Sequence, residues 1–136
     1  MTHIPAPLRR LVISRAESRC EYCLLSQVGQ EATFHIDHVI PESQRGKTEQ
    51  DNLALACVSC SLRKEARQSG TDTKTGKRAS LFHPRRDVWA EHFQWTGFEV
   101  EGITSVGRAT VQVLRLNRPS ILLIREEESL RGRFPP

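Results

Sequence analysis

All four cysteines of this 136-residue chain fall into two Cys-x-x-Cys pairs, Cys20/Cys23 and Cys57/Cys60, and no other feature restricts the fold as much. Each spacing lets two thiolates grip one tetrahedral ion, so together they predict a single closed zinc site of structural type. The chain between the pairs becomes a loop clamped at both ends by metal. It displays Asp37-His38, a carboxylate beside an imidazole. Two disulfides are the other use for four cysteines. Met1-Thr2-His3-Ile4-Pro5 lacks the charged start, apolar run and cleavage site of a secretory leader, so zinc and a cytoplasmic setting are expected. The longest apolar run, Leu53 to Val58, is far short of the roughly 18 residues of a membrane span, so no membrane partner is expected.

A chain of this length supports one ordinary core with appendages. The formal charge is +4, a moderate excess that attracts polyanions. Between Ser61 and Ala90 eight basic residues face three acidic ones, so the excess sits just after the second cysteine pair and suggests a phosphate track.

Pro5 to Ser18 reads as a first helix, with Leu8, Leu11, Val12 and Ala16 on one face and Arg15 obliged to snorkel from that stripe. Ala32 to Ile40 reads as a strand ended by Pro41, and Leu53 to Ala56 as a second strand forming a hairpin with it. Ser61 to Gln68 reads as a helix stopped at Ser69-Gly70, and Thr71 to Ala79 as a mobile polar loop. A short helix capped by Asp87 is expected next, with Trp89 and Phe93 on its buried side. Phe98 to Ile103 then alternates like an edge strand, Thr104 caps a further helix, and Pro119 opens a last one running to about Arg131 before a frayed end. Trp89, Phe93 and Trp95 are able to stack on bases, but their helical spacing favours the core.

Asp37 offers the hard oxygen that Mg²⁺ prefers, and His38 is of the residue type that most often serves as a general base. Neighbours in a strand point to opposite faces, so both reach one phosphate only if the backbone bends or the strand ends there. Lys64 and Arg67, at i and i+3 on the expected helix, can face one phosphate track with Arg63 beside them, and Arg85 and Arg86 extend it.

Cys20-Glu21-Tyr22-Cys23, Asp37-His38-Val39-Ile40-Pro41, Gly46, Asp51-Asn52-Leu53, Cys57-Val58-Ser59-Cys60 and Lys64, in that order and spacing, resemble an HNH endonuclease of the ββα-metal, or His-Me finger, class. The resemblance implies an α+β fold: a ββα-metal core over residues 1–70, with its N-terminal helix and zinc knuckle, and a strand and helical extension over residues 71–136 packed on the core. It implies DNA hydrolysis to a 5′ phosphate, with His38 as general base, Asp37 holding a catalytic Mg²⁺ or Mn²⁺, and Asn52 ordering the loop that orients the base. The family's third signature position, usually His or Asn, is Ser61 here. A hydroxyl is the weaker ligand, so Ser61 is expected to bind the ion directly or through water, with His35, His83 and His92 as alternatives. The rival reading is a zinc-stabilised DNA-binding module whose nuclease centre is impaired, and the final helices are expected to cover the core or a second copy in a homodimer.

Overall fold

The computed structural model describes residues 3–136, which form two compact units. The first runs to Ala66 and takes back His83–Arg85; the second comprises Arg67–Phe82 and Arg86–Pro136. No described helix is long and apolar enough to cross a membrane.

In the first unit, helix α1 (Ala6–Arg15) carries proline in its first turn, where no N–H is needed, and buries Val12. Arg15 does not snorkel outward: its guanidinium turns inward and donates to the Leu53 carbonyl. The chain leaves the helix through Glu17 and Ser18, both left-handed, into the first cysteine turn, closed by Cys20 N–H on the Leu25 carbonyl at 2.9 Å. Strand β1 (His35–His38) pairs antiparallel with β2 (Leu53–Ala56), His35 opposite Ala56 and His38 opposite Leu53. The first strand is shorter than its composition predicts. The Gln27 side chain accepts from Phe34 N–H at 2.7 Å and donates to the Ala32 carbonyl at 3.0 Å, which takes that approach segment out of the ladder.

Strand β2 is buried along its whole length because its second edge is also covered. Glu21 N–H donates to the Leu55 carbonyl at 2.8 Å, and Leu55 N–H donates to the Glu21 carboxylate at 2.8 Å. Helix α2 (Val58–Lys64) begins inside the second cysteine turn, three residues earlier than expected, because Cys57 Sγ accepts from Cys60 N–H at its N-cap. It stops at Glu65, whose φ of 48° is left-handed, so Arg67 is not on it. Strand, strand and helix follow one another as the ββα arrangement requires.

In the second unit the expected mobile loop is a hairpin of β3 (Ser69–Thr71) and β4 (Arg78–Ser80), Gly70 opposite Ala79. The short helix is α3 (Trp89–His92), with Val88 rather than Asp87 at its N-cap and no side-chain cap. Phe93 opens a strand the periodicity hides, β5 (Phe93–Thr96), which pairs with β6 (Glu99–Gly102). Thr104 caps α4 (Ser105–Val113) by accepting from Gly107 N–H, and α5 spans Pro119–Leu130. Phe82, Phe93, Val100, Leu114, Leu116 and Ile121 are buried here. Trp89 packs on Phe93 at 4.9 Å and on Trp95 at 5.4 Å, so these rings belong to the fold rather than to a base-stacking platform. The C-terminal end is tied down: Arg133 pairs with Glu128 at 2.7 Å, and Phe134 packs edge-on against Trp95 at 4.9 Å.

Candidate functional site

The four cysteine sulfurs lie within 4.8 Å of one another and all four residues are buried. Among the described residues this is the only group of three or more His, Cys, Asp or Glu side chains close enough to share an ion. Hydrogen bonds from Cys20, Cys23 and Cys60 hold the Cys57 thiol far below its ordinary range. Burial pushes Cys20 up, and hydrogen bonding to Cys20 and its neighbours pushes Cys60 up. A dication at the centre stabilises all four thiolates at once, so this donor set fits a structural zinc.

Each cysteine turn also sends one side chain to Asp37. Tyr22, 1% exposed, lies between the first two cysteines and donates its phenol to Asp37 Oδ2 at 2.8 Å. Lys64, four residues beyond Cys60, reaches the same oxygen at 3.2 Å and also donates to the His38 carbonyl at 3.2 Å. Burial raises the Asp37 carboxyl above its ordinary range, opposed by Lys64 and then by Tyr22. Burial, and next the adjacent Asp37 charge, push the Tyr22 phenol well up, so it stays a donor. One carboxylate oxygen is thereby gripped twice, and no described hydrogen bond engages the other.

This arrangement corrects the reading of Lys64 as a phosphate contact. Its side chain is 2% exposed, because a helix that starts within the cysteine turn aims position 64 at β1 rather than at solvent. Arg63 is half-buried with its Nε–H on Ser59 Oγ at 3.2 Å, and Arg67 is exposed in the second unit. Arg85 does not extend an open track either: it pairs with Glu21, and burial, then the Arg15 charge, bring its guanidinium down to about 10.

His38 is the last residue of β1, opposite Leu53 of β2. Its Nε2 lies 2.8 Å from Thr48 Oγ1 and 3.8 Å from Glu42 Oε1. Asn52, buried, organises that loop through backbone. It accepts from Ile40 N–H at 2.8 Å and donates to the Ile40 carbonyl at 3.0 Å and the Lys47 carbonyl at 2.9 Å. Both ends of the loop from Ile40 to Lys47 are thus tied to one amide, and Thr48, the next residue, is delivered to the His38 ring. Gly46 is needed for the same closure: a Cβ there would stand 1.6 Å from the Ile40 carbonyl oxygen.

His35 and Asp37 share one face of β1, and Ser61 and Lys64 share one face of α2. These rows meet at two points, Asp37 with Lys64 and His35 Nδ1 with Ser61 Oγ at 2.9 Å. A carboxylate oxygen, a hydroxyl and an imidazole fit an ion that keeps most of its waters. His83 accepts from Arg85 N–H through Nδ1 at 3.2 Å, and His92 bonds Thr104 Oγ1 at 2.6 Å in the second unit, where it also packs on Phe82. Tyr22, Thr48 and the inward role of Lys64 were missed from sequence. Tyr22 had a signal, a large polar aromatic inside a Cys-x-x-Cys turn; Thr48 had none.

Residues 20–67 match the family model described as HNH endonuclease. No curated protein and no solved structure matches the chain.

Proposed function

Because residues 20–67 match the HNH endonuclease family model, we propose that the protein is a metal-dependent endonuclease that hydrolyses DNA phosphodiester bonds. The observation that carries this reading is Asp37, its side chain 9% exposed and held through one oxygen by Tyr22 and Lys64, directly before His38 on a strand enclosed by the four cysteines. His38 takes the proton of a water that attacks phosphorus in line, and the bond to the 3′ oxygen breaks to leave a 5′ phosphate. Asp37 would hold the divalent ion, Mg²⁺ or Mn²⁺, with Ser61 and His35 as the further donors. When bound, that ion supplies positive charge for the phosphate and the leaving oxygen. Thr48 and the Asn52-bound loop orient the imidazole, and Lys64 fixes the backbone of His38 as well as the carboxylate before it.

One contact favours a second reading, a DNA-binding module with an impaired centre. Ser61 occupies the position of the family's third signature residue, and its hydroxyl is committed to His35. Relaxation of supercoiled plasmid with Mg²⁺ or Mn²⁺ separates the two. His38→Ala is expected to lower metal-dependent cleavage by about 10² to 10⁴ while leaving zinc content and DNA binding near the parent's. Wild-type cleavage by that variant would show that the base lies elsewhere, and a parent that binds DNA but never cuts it would establish the binding module.

A further inference from the structure

The segment that reads from sequence as a mobile polar loop is a braced projection. Within β3–β4 the face bearing Gly70 lies against α4: a Cβ on Gly70 would meet Val113 Cγ2 at 2.5 Å, so the hairpin sits as close to the helix as glycine permits. By strand alternation the outward face carries Ser69, Thr71, Arg78 and Ser80. Beyond it the tip, residues 73–77, is exposed throughout and contributes Lys74 and Lys77.

Asp72 holds that tip. Fully buried, it accepts from Lys74 N–H at 2.9 Å and from the Thr75 hydroxyl at 3.0 Å, and Arg108 of α4 forks onto both its oxygens at 2.7 and 3.0 Å. Its own backbone closes the turn, donating to the Lys77 carbonyl and accepting from Gly76 N–H, each at 2.8 Å. The only carboxylate of the hairpin is therefore turned inward and neutralised. Lys74, Lys77 and Arg78 form no ion pair among the described residues, and Arg78 bonds only Ser69 Oγ, at 2.7 Å.

We propose that the β3–β4 hairpin is a second DNA contact of this protein, its cations and hydroxyls docking on the phosphate backbone of a duplex without reading bases. The proposal rests on the DNA-directed function above. Lysine, arginine, serine and threonine are the side chains that position proteins on phosphates, and here they form a surface with neither an acidic nor a large apolar member. A merely solvated loop has no need of a buried carboxylate and a forked guanidinium at its base. Such a pair is costly to desolvate, and its best-attested use is to specify one conformation. Glu99 and Glu101 line the hollow beside Thr73, so the duplex is expected on the opposite, cationic side of the tip.

The test is binding of the full chain to a fluorescent duplex at several salt concentrations, with no divalent ion. K74Q/K77Q/R78Q removes three exposed charges, and R9Q/R10Q/R115Q removes three exposed charges elsewhere. The hairpin variant is expected to lose roughly 10- to 100-fold in affinity near 0.15 M salt and to flatten the log–log salt slope by up to about 2.7, the control far less. Asp72→Asn raises the net charge yet frees the tip, so it is expected to weaken binding; folding is checked by circular dichroism. Equal losses in the hairpin and control variants would reduce the effect to net charge and overturn the proposal, as would tighter binding by a folded Asp72→Asn protein. Should the parent bind while the hairpin variant keeps its slope, the DNA-directed function stands and the hairpin serves something else, such as an acidic protein. Should the parent bind no duplex at any salt, the functional reading itself fails.

Discussion

Lys64→Met is the perturbation that most sharply separates the folded arrangement from the surface role its sequence position suggests. In the protein the ammonium is 2% exposed and 3.2 Å from Asp37 Oδ2, whose side chain is 9% exposed. At an effective dielectric of about 20, two unit charges at that separation attract by roughly 5 kcal/mol before desolvation is counted. Removing one partner of a buried pair typically costs about 3–5 kcal/mol, because the remaining charge is left with too few partners. Against a usual total of about 5–15 kcal/mol this is a large loss. With a denaturant slope of about 2 kcal/mol per molar, the urea midpoint at a fixed excess of zinc is expected to fall by roughly 1.5–2.5 M. Asp37→Asn alone leaves a buried ammonium without its carboxylate, and the double variant K64M/D37N leaves neither charge. Its loss is expected to be smaller than the sum of the single losses by about 1 kcal/mol or more, the signature of direct coupling. A midpoint within about 0.3 M of the parent, accompanied by a shallower salt dependence of DNA binding, would refute this reasoning and return Lys64 to the phosphate-facing role.

The remaining expectations concern the metal, the loop and acid stability. The purified protein is expected to carry one tightly held zinc per chain and to lose both zinc and fold on Cys57→Ser, measured by colorimetric zinc release and circular dichroism; two disulfides and no zinc would contradict the cysteine assignment. Gly46→Ala places a methyl group into the Ile40 carbonyl, so the loop to Lys47 must open; loss of cleavage larger than loss of zinc is expected, and an unimpaired variant would contradict the loop's role. Arg108 holds the Asp72 carboxyl well below the ordinary carboxylate range. A depressed folded-state pKa contributes stability above the ordinary value of about 3.9 and loses it as pH falls further, so Asp72→Asn is expected to be less stable near neutrality and to flatten the decline in urea midpoint below about pH 4. An unchanged acid decline would mean that the Asp72–Arg108 contact is not maintained in solution.

What the sequence determined by itself was whatever is written in short-range spacing. Two Cys-x-x-Cys turns dictate a four-thiolate cluster, because tetrahedral coordination demands nothing beyond that spacing and a way for the turns to meet. The short apolar run of Leu53–Ala56, the capping Thr104 and the proline that opens α5 are likewise local signals, and each lies where its chemistry predicts. Side-chain destinations were decided only by tertiary structure. Lys64 and Arg67 look alike as exposed cations in a basic stretch, yet α2 starts within the cysteine turn, which aims one at a buried carboxylate and leaves the other beyond the helix end. The β3–β4 hairpin was illegible because its strands are three residues long and its order comes from Asp72 meeting Arg108, 36 residues away. Thr48 reaches His38 only because Asn52 gathers both ends of the intervening loop. Local periodicity carries the energy of a turn or a strand face, whereas a buried charge draws its energy from whichever distant group the fold brings within about 3 Å, and that choice is not encoded in any window of neighbouring residues.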